Sequence, residues 1–271
     1  MQSSVLGIDL AHTATFESVV SVCPAGVLET TIIVPSRRLA QPPLLALHGI
    51  SRNATEILQA FAGVAEMVGR IIVVPCFSAK NWPVYQRITR RARPDKSLLA
   101  LFETLRTMDQ EFQMPMDFFG FSGGAQLAHR FAMLYPEAVG DLHLGAAGWY
   151  TMPQESTVYP YGIQDSLSGS RRWSRLMRSG LDRFLRRNIT VYVGEKDTER
   201  DDTLRKNRIV DEQQGLNRIE RARSYVALLN RLQSELGVSG LTRMELLPEC
   251  DHRFSICAAQ GNLAGRVLNA L

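Results

Sequence analysis

The segment MDFFGFSGGAQLAHRF, from Met116 to Phe131, sets the tightest limit on how this chain can fold. An apolar block runs through a glycine cluster around one serine, Ser122, into a pattern with helical period. A strand that turns sharply into a helix strains the backbone of the residue at its apex and crowds the residues on either side. Side chains two positions before and after the apex collide with the neighbouring strand or helix, and glycine at Gly120 and Gly124 relieves that crowding. The spacing predicts a strand over Met116–Gly120, a protruding Ser122 and a helix over Gly123–Leu134. The competing reading is a glycine-rich turn with a helix-capping serine.

The rest of the chain repeats this alternation. Apolar runs at Phe16–Pro24, Val27–Pro35, Pro43–Gly49, Arg70–Phe77, Asp141–Gly148, Asn188–Asp197 and Leu241–His252 read as strands, the first two joined by a turn at Ala25-Gly26. Helical patterns fall at Asn53–Val68, Lys96–Phe112 and Glu212–Leu236, with a last helix after Phe254. Strands alternating with helices predict an α/β fold, a mostly parallel sheet covered on both faces. In such sheets chemistry gathers at the carboxyl ends of the strands, so candidate residues should fall just after them.

Composition narrows the function. The 271 residues are 45% hydrophobic, enough for a large core, and 21% charged, which excludes a disordered chain. No apolar run approaches the roughly 18 residues of a membrane span. The first residues lack a basic start followed by an apolar block, so no secretory signal is expected. Cys23, Cys76, Cys250 and Cys257 form no C-x-x-C pair and read as reduced thiols of a cytoplasmic protein. Net charge is +4, with basic residues gathered at Ile88–Pro94 and Arg171–Arg187. No nucleic-acid motif accompanies them, so they read as solvated helix faces, and neither nucleic acid nor membrane is an expected partner.

A serine nucleophile needs a base in hydrogen-bond reach and donors for the oxyanion it creates. Gly123 follows Ser122 at the start of a helix, where its N–H can face that oxyanion. Of the histidines, His12 lies far from any parallel strand end, His129 is inside a helix and His143 is mid-strand; His48 and His252 both follow strands. For the acid that orients the imidazole, Asp197 sits nearest a strand end. Glu199, Asp201 and Asp202 read as a solvated acidic loop, and Asp251 is too close in sequence to His252 for a good bond.

With LHGISRN, GFSGG, VGEKDT and CDHRF in place, the chain resembles the α/β-hydrolases from about Pro43 to Leu271. The order Ser122, Asp197, His252 matches that family's nucleophile–acid–base order. GAAGWYTMP also resembles the small polyhydroxybutyrate depolymerase and feruloyl esterase-like enzymes. The resemblance implies an oxyanion loop at His48-Gly49, with the N–H of Ile50 joining that of Gly123, Ser51 adding a hydroxyl, and His48 structural, which leaves His252 as base. The chain lacks the His-Gly-Gly-Gly run of some esterases, so the resemblance does not extend to bulky tertiary-alcohol esters.

One domain over 1–271 is expected, with a cap insertion over 149–187 in which Trp149 and Tyr150 are the pocket candidates. The expected activity is serine ester hydrolysis of a small molecule, with no cofactor and no metal. A thioesterase, acyltransferase or peptidase on the same residues and a non-catalytic receptor remain alternatives, and oligomeric state stays open.

Overall fold

The computed structural model describes residues 14–23, 26–165 and 171–269, with the Arg171 side chain left aside. Ala25 of the expected turn and His12 lie outside them. An antiparallel hairpin, β1 (Thr15–Cys23) and β2 (Gly26–Val34), leads into β3 (Leu44–Leu47), α1 (Ala54–Val68), β4 (Ile72–Cys76) and α2 (Pro94–Arg106). Then come β5 (Met116–Phe121), α3 (Gly123–Leu134), β6 (Val139–Gly145), α4 (Arg171–Ser179), α5 (Leu181–Leu185) and β7 (Ile189–Gly194). The chain closes with α6 (Arg208–Gln214), α7 (Arg218–Leu236), β8 (Thr242–Leu247), α8 (Phe254–Ala259) and α9 (Leu263–Val267).

The strands form one eight-stranded sheet in the order β1-β2-β4-β3-β5-β6-β7-β8. β2 joins β4 antiparallel, and every pairing from β4 to β8 is parallel. The central strands are apolar throughout because both faces are covered. In β5, Phe118 packs on one side with α2, α3 and α7, through residues such as Phe102, Phe131 and Leu229. Phe119, next in sequence, packs on the other side with α1, α8 and α9, through Phe61, Phe254 and Val267. Burial at about 25 cal/mol per Å² of apolar surface makes these two layers the main force holding the sheet.

Two expected elements differ. The helix over Glu212–Leu236 is broken: α6 ends at Gly215, whose φ of +117° suits glycine, and α7 restarts behind Asn217. The Asn217 side chain accepts from the N–H of Glu220, while Glu220 Oε2 accepts from the N–H of Leu216. These bonds satisfy N–H groups at the start of a helix that would otherwise lack partners. The helix over Lys96–Phe112 starts at Pro94 and ends at Arg106.

Within 149–187, Trp173, Met177, Phe184 and Leu185 belong to the core beside α3. That part of the expected cap therefore packs in the helical layer. Among the described residues no helix is long and apolar enough to cross a membrane, and no cluster of three or more His, Cys, Asp or Glu could hold a metal ion.

Candidate active site

β3 pairs with β5 through Leu47↔Gly120, so the loop after β3 lies beside the turn after β5. At that turn Ser122 has φ 51° and ψ −109°, a conformation disfavoured for a residue with a Cβ. Its N–H donates to Gly145 O of β6 at 2.7 Å, and its carbonyl accepts from Gln126 N at 3.2 Å. The glycines on either side have steric reasons. A Cβ on Gly120 would lie 2.4 Å from the carbonyl carbon of Gly124, and one on Gly124 would lie 2.2 Å from Leu47 O. No side chain can occupy either position while β3, β5 and α3 stay this close.

The Ser122 hydroxyl is 3.2 Å from His252 Nε2, and His252 Nδ1 is 2.9 Å from Asp197 Oδ2. Asp197 stands on the short turn after β7, with its N–H donating to Gly194 O. β8 is one strand further out, so the loop carrying His252 reaches back across β7 and β6, and its imidazole stacks on Phe121 at 5.6 Å between centroids. Asp197 is buried while His252 is about a fifth exposed on its side chain, so the carboxylate is dry and the imidazole faces the cavity.

Three of the other carboxylates have other partners. Asp251 pairs with Arg253, Asp202 with Lys206, and Asp201 with Arg218.

Arg218 is the site residue that no sequence pattern revealed. It opens α7, is buried, and donates from Nη1 to Asp197 Oδ1 at 3.0 Å and to Asp201 Oδ2 at 2.9 Å. A cation at a helix N-terminus opposes the helix dipole, and the two carboxylates offset that cost. Asp197 thus has one oxygen on the imidazole and the other on a guanidinium, which fixes the plane of its carboxylate. Burial alone would raise the Asp201 carboxyl, but hydrogen bonds from Arg218 and Thr203 hold it well below the ordinary carboxylate range.

Two backbone N–H groups lie beside the serine turn. Gly123 is the first residue of α3, so its N–H has no acceptor inside the helix. The N–H of Ile50 has no partner among the described residues and would lie 3.3 Å from a Cβ built on Gly123. Tyr85 braces this corner by donating its hydroxyl to His48 O at 2.5 Å. A cavity of about 270 Å³ opens here, walled by Ile50, Ser51, Phe121, Ser122, Thr203 and His252 among others.

His48, Tyr150 and Trp149 do not line the Ser122 cavity. His48 is fully buried: its Nε2 accepts from Phe77 N at 3.0 Å, which leaves the proton on Nδ1 to donate to Gly49 O at 2.8 Å. It ties the end of β3 to the end of β4 and does not face the cavity. Burial lowers its pKa to about 4, so the ring is neutral.

Tyr150 stacks on Tyr225 in the core at 4.1 Å, held by Gln214, whose side chain bonds both the N–H and the carbonyl of Tyr150. Trp149 faces a second cavity, described below. Their position just after β6 predicts a pocket at Ser122, but Tyr150 turns into the core against Tyr225 and Trp149 packs edge-on to Tyr161.

The sheet order, the strained serine turn and the covering helices make this the α/β-hydrolase fold. No protein-family model and no curated protein sequence matches the chain. Among solved structures it is similar to poly(aspartic acid) hydrolase-1 from Sphingomonas sp. KT-1, at 22% identity and TM-score 0.76 over 95% of this chain and 98% of that one. It is also similar to LpqC, a poly(3-hydroxybutyrate) depolymerase from Bordetella parapertussis, at 20% identity and TM-score 0.75 over 95% and 90%. A third similar structure is FphF, a fluorophosphonate-binding serine hydrolase of Staphylococcus aureus, at 13% identity and TM-score 0.61 over 95% and 98%.

Proposed function

We propose that this chain is a serine hydrolase that cleaves carboxylic esters through an acyl-enzyme. The observation that carries the reading is the relay from Ser122 Oγ to His252 Nε2 at 3.2 Å and from His252 Nδ1 to Asp197 Oδ2 at 2.9 Å, at the apex of a strained turn. Ser122 Oγ attacks the acyl carbon as His252 Nε2 takes its proton. Asp197 orients the ring and stabilises the imidazolium. The N–H groups of Ile50 and Gly123 hold the oxyanion, and His252 returns the proton to the leaving alcohol. Water, deprotonated by His252, then attacks the acyl-enzyme, and the acid leaves as Ser122 regains its proton. Arg218 acts through Asp197 as a positioning residue. The names of the similar structures, a polymer hydrolase, a polyester depolymerase and a fluorophosphonate-binding serine hydrolase, support this reading.

The test is hydrolysis of a p-nitrophenyl ester series by the wild type and Ser122→Ala. Turnover should fall by several orders of magnitude in the variant, on the order of 10⁴ or more. Equal turnover in the two proteins removes Ser122 from the mechanism. A fluorophosphonate probe should label the wild type and not the variant, which separates the enzyme from a silent receptor.

A further inference from the structure

A second cavity, of about 360 Å³, lies beside α3 beneath the loops that follow β4 and β6. That size falls in the range of about 300–1,000 Å³ usual for small-molecule sites. Four arginines wall it, Arg87, Arg90, Arg130 and Arg205, and among the described residues no Asp or Glu does. Trp149, Tyr159 and Trp173 supply aromatic surface.

Arg130 sets this cavity apart. Of the four buried arginines among the described residues, Arg70 pairs with Asp117, Arg218 with Asp197 and Asp201, and Arg221 with Asp211. Arg130 has no ion pair among the described residues. Its Nε donates to Thr151 Oγ1 at 2.9 Å, its Nη1 donates to Gln86 O at 2.8 Å and Gln126 O at 2.9 Å, and its guanidinium lies 4.1 Å from the Trp149 ring centre. Nη2 has no hydrogen-bond partner among the described residues. These neutral partners hold the group in place and leave its charge uncompensated, and an unpaired buried charge is costly.

The same deficit extends along the wall. Arg87 and Arg90 are exposed at the cavity mouth and make no ion pair among the described residues. Among the described residues the Arg205 side chain hydrogen-bonds the Tyr161 hydroxyl alone, through Nε at 2.7 Å, leaving its two terminal nitrogens for another acceptor. Burial lowers the pKa of Arg130 to about 10, with the Arg87 charge adding to that direction, and the group stays cationic at neutral pH.

We propose that this cavity is a binding site for an organic carboxylate, with Arg87, Arg90 and Arg205 contacting the anion and the Arg130 charge deepening the positive potential behind them. A guanidinium presents paired N–H donors that match a planar carboxylate. The aromatic walls suit an apolar or aromatic body on the same ligand. Arg130 is eight residues beyond Ser122 on α3, about 12 Å along the helix axis. The carboxylate therefore has two sources: the far end of an acidic substrate held at Ser122, or a separate small acid.

Calorimetric titration with 3-phenylpropionate and its neutral amide, at constant ionic strength, tests the site. The acid should bind the wild type and Ser122→Ala alike, and the amide about tenfold more weakly or less. The double variant Arg87→Gln/Arg90→Gln, altered at exposed positions, should lose about tenfold or more in affinity for the acid, and Arg205→Gln should weaken it independently. Equal binding of acid and amide, absence of binding, or affinity unchanged in these variants overturns the proposal. Because Ser122→Ala is expected to bind normally, failure of the ester-hydrolase reading leaves this result interpretable. The source is decided by p-nitrophenyl monoesters of dicarboxylic acids of increasing length. A KM that rises in the double variant for the long monoester relative to a neutral ester of equal length assigns the carboxylate to the substrate. No such rise, with binding of 3-phenylpropionate still lost, assigns it to a separate acid.

Discussion

Asp197 receives both the imidazole of His252 and the guanidinium of Arg218, one on each oxygen. Arg218 is itself buried, so removing its charge leaves two carboxylates close together without a counter-charge. In Arg218→Gln the chain should lose on the order of 3–5 kcal/mol of stability, the cost of breaking a buried pair from one side. Under conditions where the variant stays folded, kcat should fall between about 10- and 100-fold, because Asp197 no longer fixes the imidazole plane. KM should stay near the wild-type value, since Arg218 does not line the Ser122 cavity. Arg218→Lys should recover part of kcat. Steady-state kinetics on a p-nitrophenyl ester checks this split, and a change confined to KM contradicts the positioning role. At Gly124 the constraint is steric: a Cβ would meet Leu47 O at 2.2 Å and His48 O at 2.6 Å, both rigid backbone atoms. Gly124→Ala should therefore destabilise by on the order of 4 kcal/mol in urea unfolding, or fail to yield folded protein.

Glycine inside an element behaves in the opposite way when it has room. Gly63 sits within α1, is exposed, and a Cβ there would meet nothing within 4 Å. Gly63→Ala should stabilise the protein by about 0.5–1 kcal/mol through helix propensity and a less flexible unfolded chain, read as a higher urea midpoint at unchanged slope. The contrast with Gly124 shows what was legible in the sequence. Apolar runs such as Ile72–Cys76 and Met116–Phe121 announce strands because both sheet faces are covered, and the glycines two positions either side of Ser122 announce the close approach of α3. Ser122, Asp197 and His252 could be picked out because each follows a strand. The break between α6 and α7 was not legible as a break, since apolar residues keep a helical period through Gly215. Its signal was present in Asn217 and Glu220, whose spacing is that of a helix start. Arg218 could be placed on that helix, but its partner could not, because the contact with Asp197 joins segments 21 residues apart through tertiary packing. Tyr150 turns into the core and Trp149 toward a cavity other than that of Ser122 for the same reason: a strand end fixes where a residue lies but not which way the following loop turns.

At the scale of the molecule, three histidines among the described residues are held neutral inside the fold, and their shared behaviour sets the acid limit of stability. Burial lowers His48 to about 4 and His143 to about 3, and burial also takes His129 well below its ordinary value, with nearby arginine charges adding in all three. The hydrogen bonds of His48 and His129 agree, because each has a ring nitrogen accepting from a backbone N–H, from Phe77 and Thr151 respectively. A protonated ring could not accept those bonds. The unfolded chain takes up these protons near pH 6.5, whereas the native state resists until far lower pH. Between those values the unfolded state binds more protons, so stability falls as pH falls. The stabilisation is complete above about pH 6.5 and is lost progressively toward pH 4, with His48 alone contributing on the order of 3 kcal/mol over that window. The carboxylates that the fold lowers, Asp109, Asp201, Asp211 and Asp251, act later, since their unfolded value is 3.8. The two groups therefore separate on the pH axis. Unfolding free energy measured in urea from pH 8 to pH 5 should be level above about pH 7 and then decline, reaching a slope of roughly 4 kcal/mol per pH unit near pH 5.5, the uptake of close to three protons. In His143→Phe, where one of the three rings is removed, that slope should drop by about a third. A curve that stays level down to pH 5 would show that these imidazoles accept protons within the native fold, and the decline would then have to begin only where the carboxylates titrate.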